Sequence, residues 1–587
     1  MAAAGIVPGE DAALLGASYD RLRTIEHRLQ MIADQQTHSL PPSTEAIDRV
    51  ARLDGLADGA ALVAELTVLT EAVALRYDGL IAAQSGTTSV SVPAPRDNAA
   101  LAQELAALGF PGAETLAERI AAWRSGKFRA LRSPAALEAF ARVRPALLAA
   151  LAAAPDPLRA LARWEELLGN LPSAINLFRL LEARPALLAL LGRILALAPP
   201  LADALARRAD LLDPLIDASA FDVPGSVAEL ETAFARGEAG DDYERLLGRV
   251  RRGVGELRFI LGVQLIEGAT DPLAVAAALA RIAEAALRVL AQAATAEFAR
   301  VHGAVPGSDL IVLGLGRLGG GALTHASDLD LIYVFSGSHQ SVSDGTRPLG
   351  ATHYFNRLAQ RVGGALSVPT ADGALYEVDT RLRPSGAQGP LAVSAESFAR
   401  YQRDDAWTWE HMALTRARPL YGPTAAQAEL SETIAAVLAA PRDAAGLRRD
   451  VLAMRAEMAV HKPPQGPLDA KLARGGLVDL EFVVHYLQLR ERCCFHPRLD
   501  EALAALAHRG LIAAEVAPAH DFLTRLLVAA RMLAPDMREP APPACAALAK
   551  ACRCSDWAQL LAALAQARGV VAAAWSAAFG EALERET

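Results

Sequence analysis

Two aspartates in an apolar run are the residues of this sequence whose types and spacing best fit chemistry. Asp328 and Asp330 stand two residues apart in DLDLIYVF (328–335), which predicts a β-strand. Because alternate side chains of a strand point to the same face, the two carboxylates project side by side. Adjacent carboxylates repel each other unless a cation neutralises them, and such oxygen ligands suit Mg²⁺ bound to nucleotide phosphates. The pair predicts a metal-dependent nucleotide site.

A glycine cluster, GLGRLGGG (314–321), follows another apolar run that predicts a strand, DLIVLGL (309–315). Gly319 and Gly320 could bring backbone N–H groups close to a triphosphate. The spacing also fits the GxGxxG of a dinucleotide-binding turn. However, only eight residues separate that match from the next strand, whereas a parallel crossover needs about a dozen or more. The sequence also contains no GxxxxGK[ST] motif, which excludes a P-loop.

A third aspartate could complete the metal site. Asp379 lies in ALYEVDTRLRP (374–384), which predicts a further strand. Arg381 and Arg383 follow it at two-residue steps, so a strand that continues past Asp379 would turn all three toward one face. That face would offer a metal ligand and two cations for phosphate. The simpler alternative is an exposed strand with ordinary alternation of polar residues.

The regions around these motifs have a helical pattern. The chain has 587 residues, 52% of them hydrophobic and only 5% aromatic, with alanine and leucine recurring at helical spacing. This length predicts several domains. We expect a mainly α-helical protein with one α+β domain flanked by helical bundles, divided into a helical region (1–83), a linker (84–98), a second helical region (99–217), the α+β domain (218–430) and a C-terminal helical bundle (431–587).

Charge and apolar patterning exclude several classes of protein. The net charge is −9, the wrong sign for a protein whose main task is to bind nucleic-acid backbone. No uncharged apolar stretch reaches the roughly 18–20 residues of a membrane span, and the N-terminus lacks the basic segment of a signal peptide. Five cysteines in so long a chain do not form a disulfide framework. We therefore expect a soluble cytoplasmic protein.

Four sequence blocks resemble, in order, the signature blocks of the glutamine synthetase adenylyltransferase family. They are GLGRLGGGALTHASDLDLIYVF (314–335), YEVDTRLRPSGAQGPL (376–391), WTWEHMALTRAR (407–418) and DAKLARGGLVDLEF (469–482). That family consists of bacterial enzymes of the DNA-polymerase-β-like nucleotidyltransferase superfamily. The resemblance implies that the α+β domain has the polymerase-β-like nucleotidyltransferase fold.

The resemblance also implies a reaction, ligands and partners. AMP is transferred from ATP to a tyrosine hydroxyl of glutamine synthetase with release of pyrophosphate, and a PII-type signalling protein and glutamine act as effectors. Asp328 and Asp330 are expected to bind both of two Mg²⁺ ions and Asp379 the catalytic one. Contacts to the nucleotide are expected from the remaining site residues, which are Gly319, Gly320, Ser327, Arg381, Arg383 and Lys471.

Members of this family normally contain two nucleotidyltransferase halves, whereas this sequence has one DxD block with its partners. The segment 18–41 resembles the end of the first half. A faint repeat supports this, because five residues recur at a constant spacing of 501: Asp20, Leu22, Ile25, Met31 and Ile32 match Asp521, Leu523, Leu526, Met532 and Leu533. The resemblance implies a C-terminal adenylylating portion, with a helical remnant of the first half (1–83) and without the adenylyl-removing catalytic half.

Two other functions fit the same residues. One is a non-catalytic regulator that senses ATP and binds glutamine synthetase or a PII-type protein. The other is a related nucleotidyltransferase that uridylylates a PII protein. Labelled ATP or UTP with each acceptor protein would distinguish the three.

Two further side chains carry structural expectations. Trp407 and Trp409 are expected to be packing residues, and Glu410 is expected to form a structural ion pair with Arg416 or Arg418. His325 is expected to be an exposed loop residue that binds no ligand.

Overall fold

Segments rich in alanine and leucine form helices over most of the chain, as the sequence predicts. The computed structural model describes residues 8–33, 44–84, 98–123, 127–154, 156–171, 173–216, 222–237, 241–369 and 373–583. Most of the predicted linker, residues 85–97, lies outside the described residues. The chain divides into two compact units, one formed by Met1–Gln103, Glu114–Val143 and Ser173–Arg179 and the other by Glu104–Ala113, Arg144–Pro172 and Leu180–Thr587.

The helices that precede the sheet vary widely in length. The first ten are α1 (Gly9–Ala33), α2 (Thr44–Leu53), α3 (Gly59–Gln84), α4 (Asn98–Ala107), α5 (Ala113–Ala122), α6 (Pro134–Ala152), α7 (Pro157–Asn170), α8 (Ile175–Ala183), α9 (Pro185–Leu197) and α10 (Pro199–Arg207). Short 3₁₀ turns occupy Arg129–Leu131 and Ala209–Ile216. Three helices then lead into the sheet: α11 (Val227–Ala235), α12 (Tyr243–Glu267) and α13 (Pro272–His302).

Five strands form the small sheet that the sequence predicts between the helical regions. They are β1 (Leu310–Gly314), β2 (Leu329–Phe335), β3 (Val378–Asp379), β4 (Ala392–Ser394) and β5 (Arg418–Tyr421). β1 pairs antiparallel with both β2 and β5, whereas β3 and β4 each pair parallel with β2. All the apolar side chains of β1 and β2 are buried, whereas Asp330 is half-buried. The fold is therefore mainly helical with one α+β domain, as expected.

The predicted third strand is much shorter than its sequence pattern suggests. Only Val378–Asp379 pairs with β2, and the chain turns immediately afterwards. The guanidinium group of Arg383 stabilises that turn, since Nη1 donates to Thr380 O at 2.8 Å and to Thr380 Oγ1 at 3.1 Å. The expectation that Asp379, Arg381 and Arg383 alternate along one strand is therefore wrong.

Helices cover the sheet and form the C-terminal bundle. They are α14 (Gly316–Gly319), α15 (Ala351–Ser367), α16 (Ala395–Asp404), α17 (Thr408–Leu414), α18 (Thr424–Ala439), α19 (Ala444–His461), α20 (Leu477–Glu491), α21 (Leu499–His508), α22 (Val516–Leu533), α23 (Pro542–Ala551) and α24 (Trp557–Phe579). A 3₁₀ turn lies at Gly386–Gln388.

α24 is the one described helix that is long and apolar enough to cross a membrane, by length and composition alone. The sequence pattern did not single it out, because Arg568 interrupts it. In the structure Arg568 Nη2 donates to Pro467 O and Asp469 O, and Val571 and Phe579 are buried. α9 and α10 pass the same test only when taken together, and they are bent by 114°. The contacts of α24 are those of a helix in a protein bundle.

The faint sequence repeat has a structural counterpart. α1, α2 and α3 follow one another as α22, α23 and α24 do, and α2 and α23 both have 10 residues. Ile25 on α1 and Leu526 on α22 are both buried, while Asp58 and Asp556 each accept a backbone N–H at the start of the third helix, at 2.8 Å. The side chains of Met31 and Ile32 lie outside the described residues.

A buried ion pair holds the edge of the sheet to the long helix α13. Glu284 is 4% exposed, and its carboxylate accepts from Arg418 Nη2 at 2.6 Å and from Arg288 Nη2 at 2.6 Å. Arg418 lies at the start of β5 and Arg288 one turn along α13. Since a buried charge needs a partner, this network fixes β5 against the helix.

We expect Glu284→Gln to lower the free energy of unfolding by about 3 kcal/mol, because it leaves the Arg418 guanidinium partly buried without its counter-charge. Glu297→Gln on the same helix is the control, since the exposed pair of Glu297 with Arg300 is worth at most about 1 kcal/mol. Chemical denaturation followed by circular dichroism measures both. Equal losses in the two variants would contradict this account of the sheet edge.

Candidate active site

Three carboxylates converge at the start of β2. Asp330 lies directly opposite Asp379 in the parallel pairing of β2 with β3, and Asp328 immediately precedes β2. One oxygen from each of Asp328, Asp330 and Asp379 lies within 4.8 Å of the other two. The structure therefore brings together the three aspartates that the sequence singled out, in a donor set that fits a hard divalent cation.

The turn after β1 packs directly against Asp330. Gly316 has a φ of +52°, and a Cβ atom there would lie 2.2 Å from Asp330 Oδ2. Leu315 N also donates to Asp330 O at 3.0 Å. Only glycine meets both demands, a left-handed backbone and close approach to a carboxylate. Gly316 is a site residue that the sequence reasoning missed, although it belongs to the glycine cluster.

Gly319 and Gly320 do not offer free backbone donors. Their N–H groups donate to Leu315 O at 2.8 Å and to Gly316 O at 3.1 Å. A Cβ atom on Gly319 would lie 2.0 Å from Arg416 O, and one on Gly320 would lie 2.4 Å from Arg416 Nη2. These glycines therefore allow Arg416 to pack against the turn, which differs from the expected cradle of N–H groups for phosphate.

Three other predicted nucleotide contacts have partners within the protein. Ser327 Oγ accepts from Thr324 N at 2.9 Å and closes the turn that leads into Asp328. Arg381 Nε lies 2.9 Å from Asp379 Oδ2, and its Nη2 donates to the same carboxylate. This pairing lowers the pKa of Asp379, so that carboxylate is ionised. The guanidinium group of Arg383, in contrast, is hydrogen-bonded to Thr380 in the turn after β3. Because β3 ends at Asp379, strand alternation does not bring Arg383 to the carboxylates.

Lys471 reaches the site from a loop that two aspartates shape. Asp469 Oδ1 accepts from the backbone N–H groups of Lys471 at 3.0 Å and Leu472 at 2.9 Å. The fully buried Asp479 accepts from Arg455 Nε at 2.6 Å and from Gly475 N at 2.6 Å. Burial and the charge of Arg317 lower the pKa of the Lys471 ammonium. The block 469–482 thus places the ammonium group of Lys471 in the same cavity as Asp330.

Arg416 and Glu481 form an ion pair beside this lysine, with Nη1 and Oε1 2.7 Å apart. Burial opposes ionisation of Glu481, but the charges of Arg416 and Arg317 outweigh it and lower its pKa to about 2. The expected pairing of Glu410 with Arg416 or Arg418 is wrong. Glu410 instead accepts from Trp407 N at 2.9 Å and from Tyr401 OH at 3.2 Å, and the Trp407 side chain is exposed.

A cavity of about 520 Å³ adjoins Asp330. It lies between the α+β domain and helices α17, α19 and α20. Rings, thioethers and aliphatic groups line much of it, with cationic groups near Asp330. The principal lining residues are Trp409, Met412, Met454, Met458, Phe482, Arg317, Arg416, Lys462, Lys471 and Glu481. No local sequence pattern singles out the three methionines, because they come from two separate helices, α17 and α19.

Comparison with known proteins places these features in one family. Residues 188–433 match the family model described as glutamate-ammonia ligase adenylyltransferase, and this segment contains all three carboxylates. Residues 1–80 match the GlnD PII-uridylyltransferase model. A bifunctional glutamine synthetase adenylyltransferase/adenylyl-removing enzyme of Mesorhizobium japonicum is 39% identical over 519 residues, which is 86% of this chain and 52% of that protein.

Further relatives with the same name extend the match. The protein of Brucella melitensis is 38% identical over 88% of this chain and 54% of its own length, and that of Agrobacterium fabrum is 38% identical over 81% and 49%. The chain belongs to the glutamine synthetase adenylyltransferase family. It spans about half the length of the curated relatives that it matches.

This adenylyltransferase-family site concentrates negative charge before any ligand binds. Burial, together with the charges of Asp328 and Asp379, raises the pKa of Asp330 to about 6. A carboxylate whose folded-state pKa exceeds its ordinary value of about 3.9 destabilises the folded protein once it ionises. A divalent cation would remove that repulsion, so the donor set fits Mg²⁺.

We expect Asp330→Asn to raise the free energy of unfolding by about 1–3 kcal/mol at pH 7.5 without divalent metal, because it removes this repulsion. The gain should be full well above pH 6 and should shrink through the range between pH 6 and pH 4. It should disappear below about pH 4, where the wild-type carboxylate becomes protonated in the unfolded state as well. Urea titrations at pH 4.5, 6 and 7.5 measure it. A variant less stable than the wild type at pH 7.5 would contradict the charge account.

Proposed function

We propose that this protein transfers the AMP moiety of ATP to a tyrosine hydroxyl of glutamine synthetase and releases pyrophosphate. The observation that carries the proposal is the group of three carboxylates, one of which, Asp330, lines a largely apolar cavity. The printed names of the relatives support the choice of donor and acceptor. Because the chain covers about half of those proteins, the activity is inferred for the part that contains this site.

Asp328, Asp330 and Asp379 would hold Mg²⁺, with two ions implied by the resemblance to the superfamily. When bound, Mg²⁺ neutralises phosphate charge and favours deprotonation of the attacking hydroxyl. Arg381 now pairs with Asp379, so its guanidinium must share that carboxylate or release it to phosphate when the site fills. Its exposed side chain makes such a movement inexpensive.

The base and sugar of ATP occupy the cavity beside Asp330. Met412, Met454 and Met458 have flexible, polarisable side chains that pack well on a flat ring, and Trp409 offers an aromatic face. Lys471 and Arg317 face the same cavity and compensate the charge of the triphosphate. This arrangement directs the α-phosphate toward the carboxylates and the base away from them.

The reaction is an in-line displacement at the α-phosphorus. The tyrosine oxygen forms a bond to that phosphorus while the bond to the oxygen that bridges to the β-phosphate breaks, and pyrophosphate leaves with that oxygen. The hydroxyl proton passes to solvent. The protein contributes mainly orientation and charge compensation, as phosphoryl-transfer enzymes generally do.

We further infer the organisation around this reaction from the family resemblance. Residues 218–430 form the nucleotidyltransferase domain, and residues 431–587 form a helical bundle that supplies Lys471 and the second wall of the cavity. A PII-type protein and glutamine act as effectors, in the cytoplasm. The match of residues 1–80 to a PII-uridylyltransferase model involves α1–α3, which do not carry the carboxylates.

We expect glutamine synthetase to become labelled by ATP carrying ³²P at the α-phosphate, and not by ATP labelled at the γ-phosphate, in the presence of the protein and Mg²⁺. Asp330→Asn should reduce the rate about 100-fold or more, because metal polarisation contributes several kcal/mol to such reactions. Glu297→Gln should retain the wild-type rate, because Glu297 is partly exposed, pairs with Arg300 and does not line the cavity beside Asp330.

Two results would overturn this proposal. One is near wild-type transfer by Asp330→Asn. The other is labelling of a PII protein by UTP in place of labelling of glutamine synthetase by ATP, which would make the protein a uridylyltransferase. Binding of ATP and glutamine synthetase without any transfer of label would support a non-catalytic regulator.

A further inference from the structure

A second cavity, of about 510 Å³, shares no lining residue with the nucleotide cavity. Its walls come from α10, α12 and two loop segments, one at His325 and the other at Gly373–Leu375. Both segments lead into the active site. His325 precedes Asp328 by three residues, and Leu375 precedes Asp379 by four.

The lining of this cavity is strongly cationic. Four of the described lining residues are arginines, and one is an aspartate, Asp203. Arg208 is neutralised by Asp210 at 2.8 Å and Glu256 at 3.1 Å. Within the described parts of the chain, the other three arginines have no carboxylate at ion-pair distance: Arg207, Arg251 and Arg258. The cavity therefore carries an excess of positive charge that the described side chains do not balance.

Arg251 is the most buried of these cations, at 9% exposure. Its Nη2 donates to Ala365 O at 3.1 Å and to Val368 O at 3.3 Å, while its buried Nε has no hydrogen-bond partner among the described residues. Carbonyl groups satisfy donors but do not supply a counter-charge. Because a buried cation without a counter-charge is costly, an anion in the cavity would stabilise this arrangement.

Apolar groups complete the lining. Leu201, Val254, Phe259 and Leu375 all face the cavity, alongside the arginines. An inorganic ion would leave these groups without contacts. The combination instead suits a small organic molecule with an anionic group at one end and an apolar body, since ligand sites typically combine apolar walls with a few charged groups that fix orientation.

Arg258 connects this cavity to the carboxylates. Its Nη2 donates to His325 O at 2.6 Å, and its Nη1 donates to Leu375 O at 3.0 Å. His325 Nε2 donates in return to Arg258 O at 2.8 Å, so His325 is not the exposed loop residue that the sequence suggested. One guanidinium group thus holds both segments that lead into the pair formed by Asp330 and Asp379.

We propose that this cavity binds a small organic carboxylate, held by Arg207, Arg251 and Arg258, and that its occupancy tightens metal binding at Asp328, Asp330 and Asp379. Arg258 retains donors beyond the two that bind carbonyl groups. An anion on those donors fixes the guanidinium between the two segments and thereby fixes the carboxylates. This coupling rests on the metal site of the proposed function, whereas the anion site does not.

The binding experiment uses hexanoate as the probe and its neutral analogue hexanamide as the matched control, each titrated into the full-length protein by calorimetry. We expect hexanoate to bind at least about tenfold more tightly, because the neutral amide of hexanamide cannot form charge-assisted hydrogen bonds with the arginines. Inorganic phosphate, which lacks an apolar body, should bind more weakly than hexanoate. Equal affinity for hexanoate and hexanamide would overturn the anion site.

Two arginine variants locate the site. Arg207→Gln should weaken hexanoate binding severalfold and should fold normally, because Arg207 is exposed. Arg252→Gln removes an exposed arginine of α12 that does not line the cavity, and it should leave the affinity unchanged. If Arg252→Gln weakened binding as much as Arg207→Gln, hexanoate would be responding to general surface charge, and the proposed site would be wrong.

The coupling experiment measures Mn²⁺ affinity by calorimetry with and without saturating hexanoate, and hexanoate affinity with and without Mn²⁺. We expect each ligand to tighten the other by the same factor, at least about fivefold, because such coupling is reciprocal. Arg258→Lys keeps the charge but cannot bridge both carbonyl groups, so it should abolish the coupling while hexanoate still binds.

The outcomes separate this inference from the proposed function. Hexanoate binding without any change in Mn²⁺ affinity would overturn the coupling. It would not affect the proposed transfer of AMP, which the labelling assay with ATP tests separately. Absence of AMP transfer with intact coupling would overturn the proposed activity alone. No Mn²⁺ binding under any condition would overturn both the metal site and the coupling.

Discussion

The parallel pairing of β2 with β3 places negative charges against one another, and much of the surrounding structure accommodates that pairing. Asp330 lies opposite Asp379, and Asp328 immediately precedes β2. The raised pKa of Asp330 reflects the resulting repulsion and burial. Gly316 gives the carboxylate room, and Arg258 holds both incoming segments. The folded protein therefore holds three carboxylates together despite their mutual repulsion.

Buried ion pairs between distant parts of the chain hold this arrangement in place despite the repulsion between the carboxylates. Glu284 on α13 binds Arg418 on β5, Asp479 on α20 binds Arg455 on α19, and Glu481 binds Arg416 across the nucleotide cavity. Each pair joins the sheet or the cavity to a helix. Such pairs often add little net stability compared with apolar contacts, but breaking one is expensive. Their effect here is to hold the carboxylates, Lys471 and the apolar cavity in one arrangement.

The two cavities give different roles to the helices around the sheet. α17, α19 and α20 line the cavity beside Asp330, whereas α10 and α12 line the arginine-rich one. The two cavities have no described lining residue in common. His325 and Leu375, which line the arginine-lined cavity, belong to the segments that enter β2 and β3, so that cavity is linked to the carboxylates through the backbone.

Local pattern alone determined the helices, the first two strands and the three aspartates, because side-chain alternation and helical spacing are properties of neighbouring residues. Tertiary structure decided what lies farther away in the sequence. β3 stops at Asp379 because the chain turns there and Arg383 donates a hydrogen bond to Thr380 O. In the turn after β1, the N–H groups of Gly319 and Gly320 donate to backbone carbonyl groups of the same turn. Likewise, His325 is held by Arg258, 67 residues away. Which partner satisfies a backbone group or a charge depends on contacts between remote segments, which no local pattern encodes.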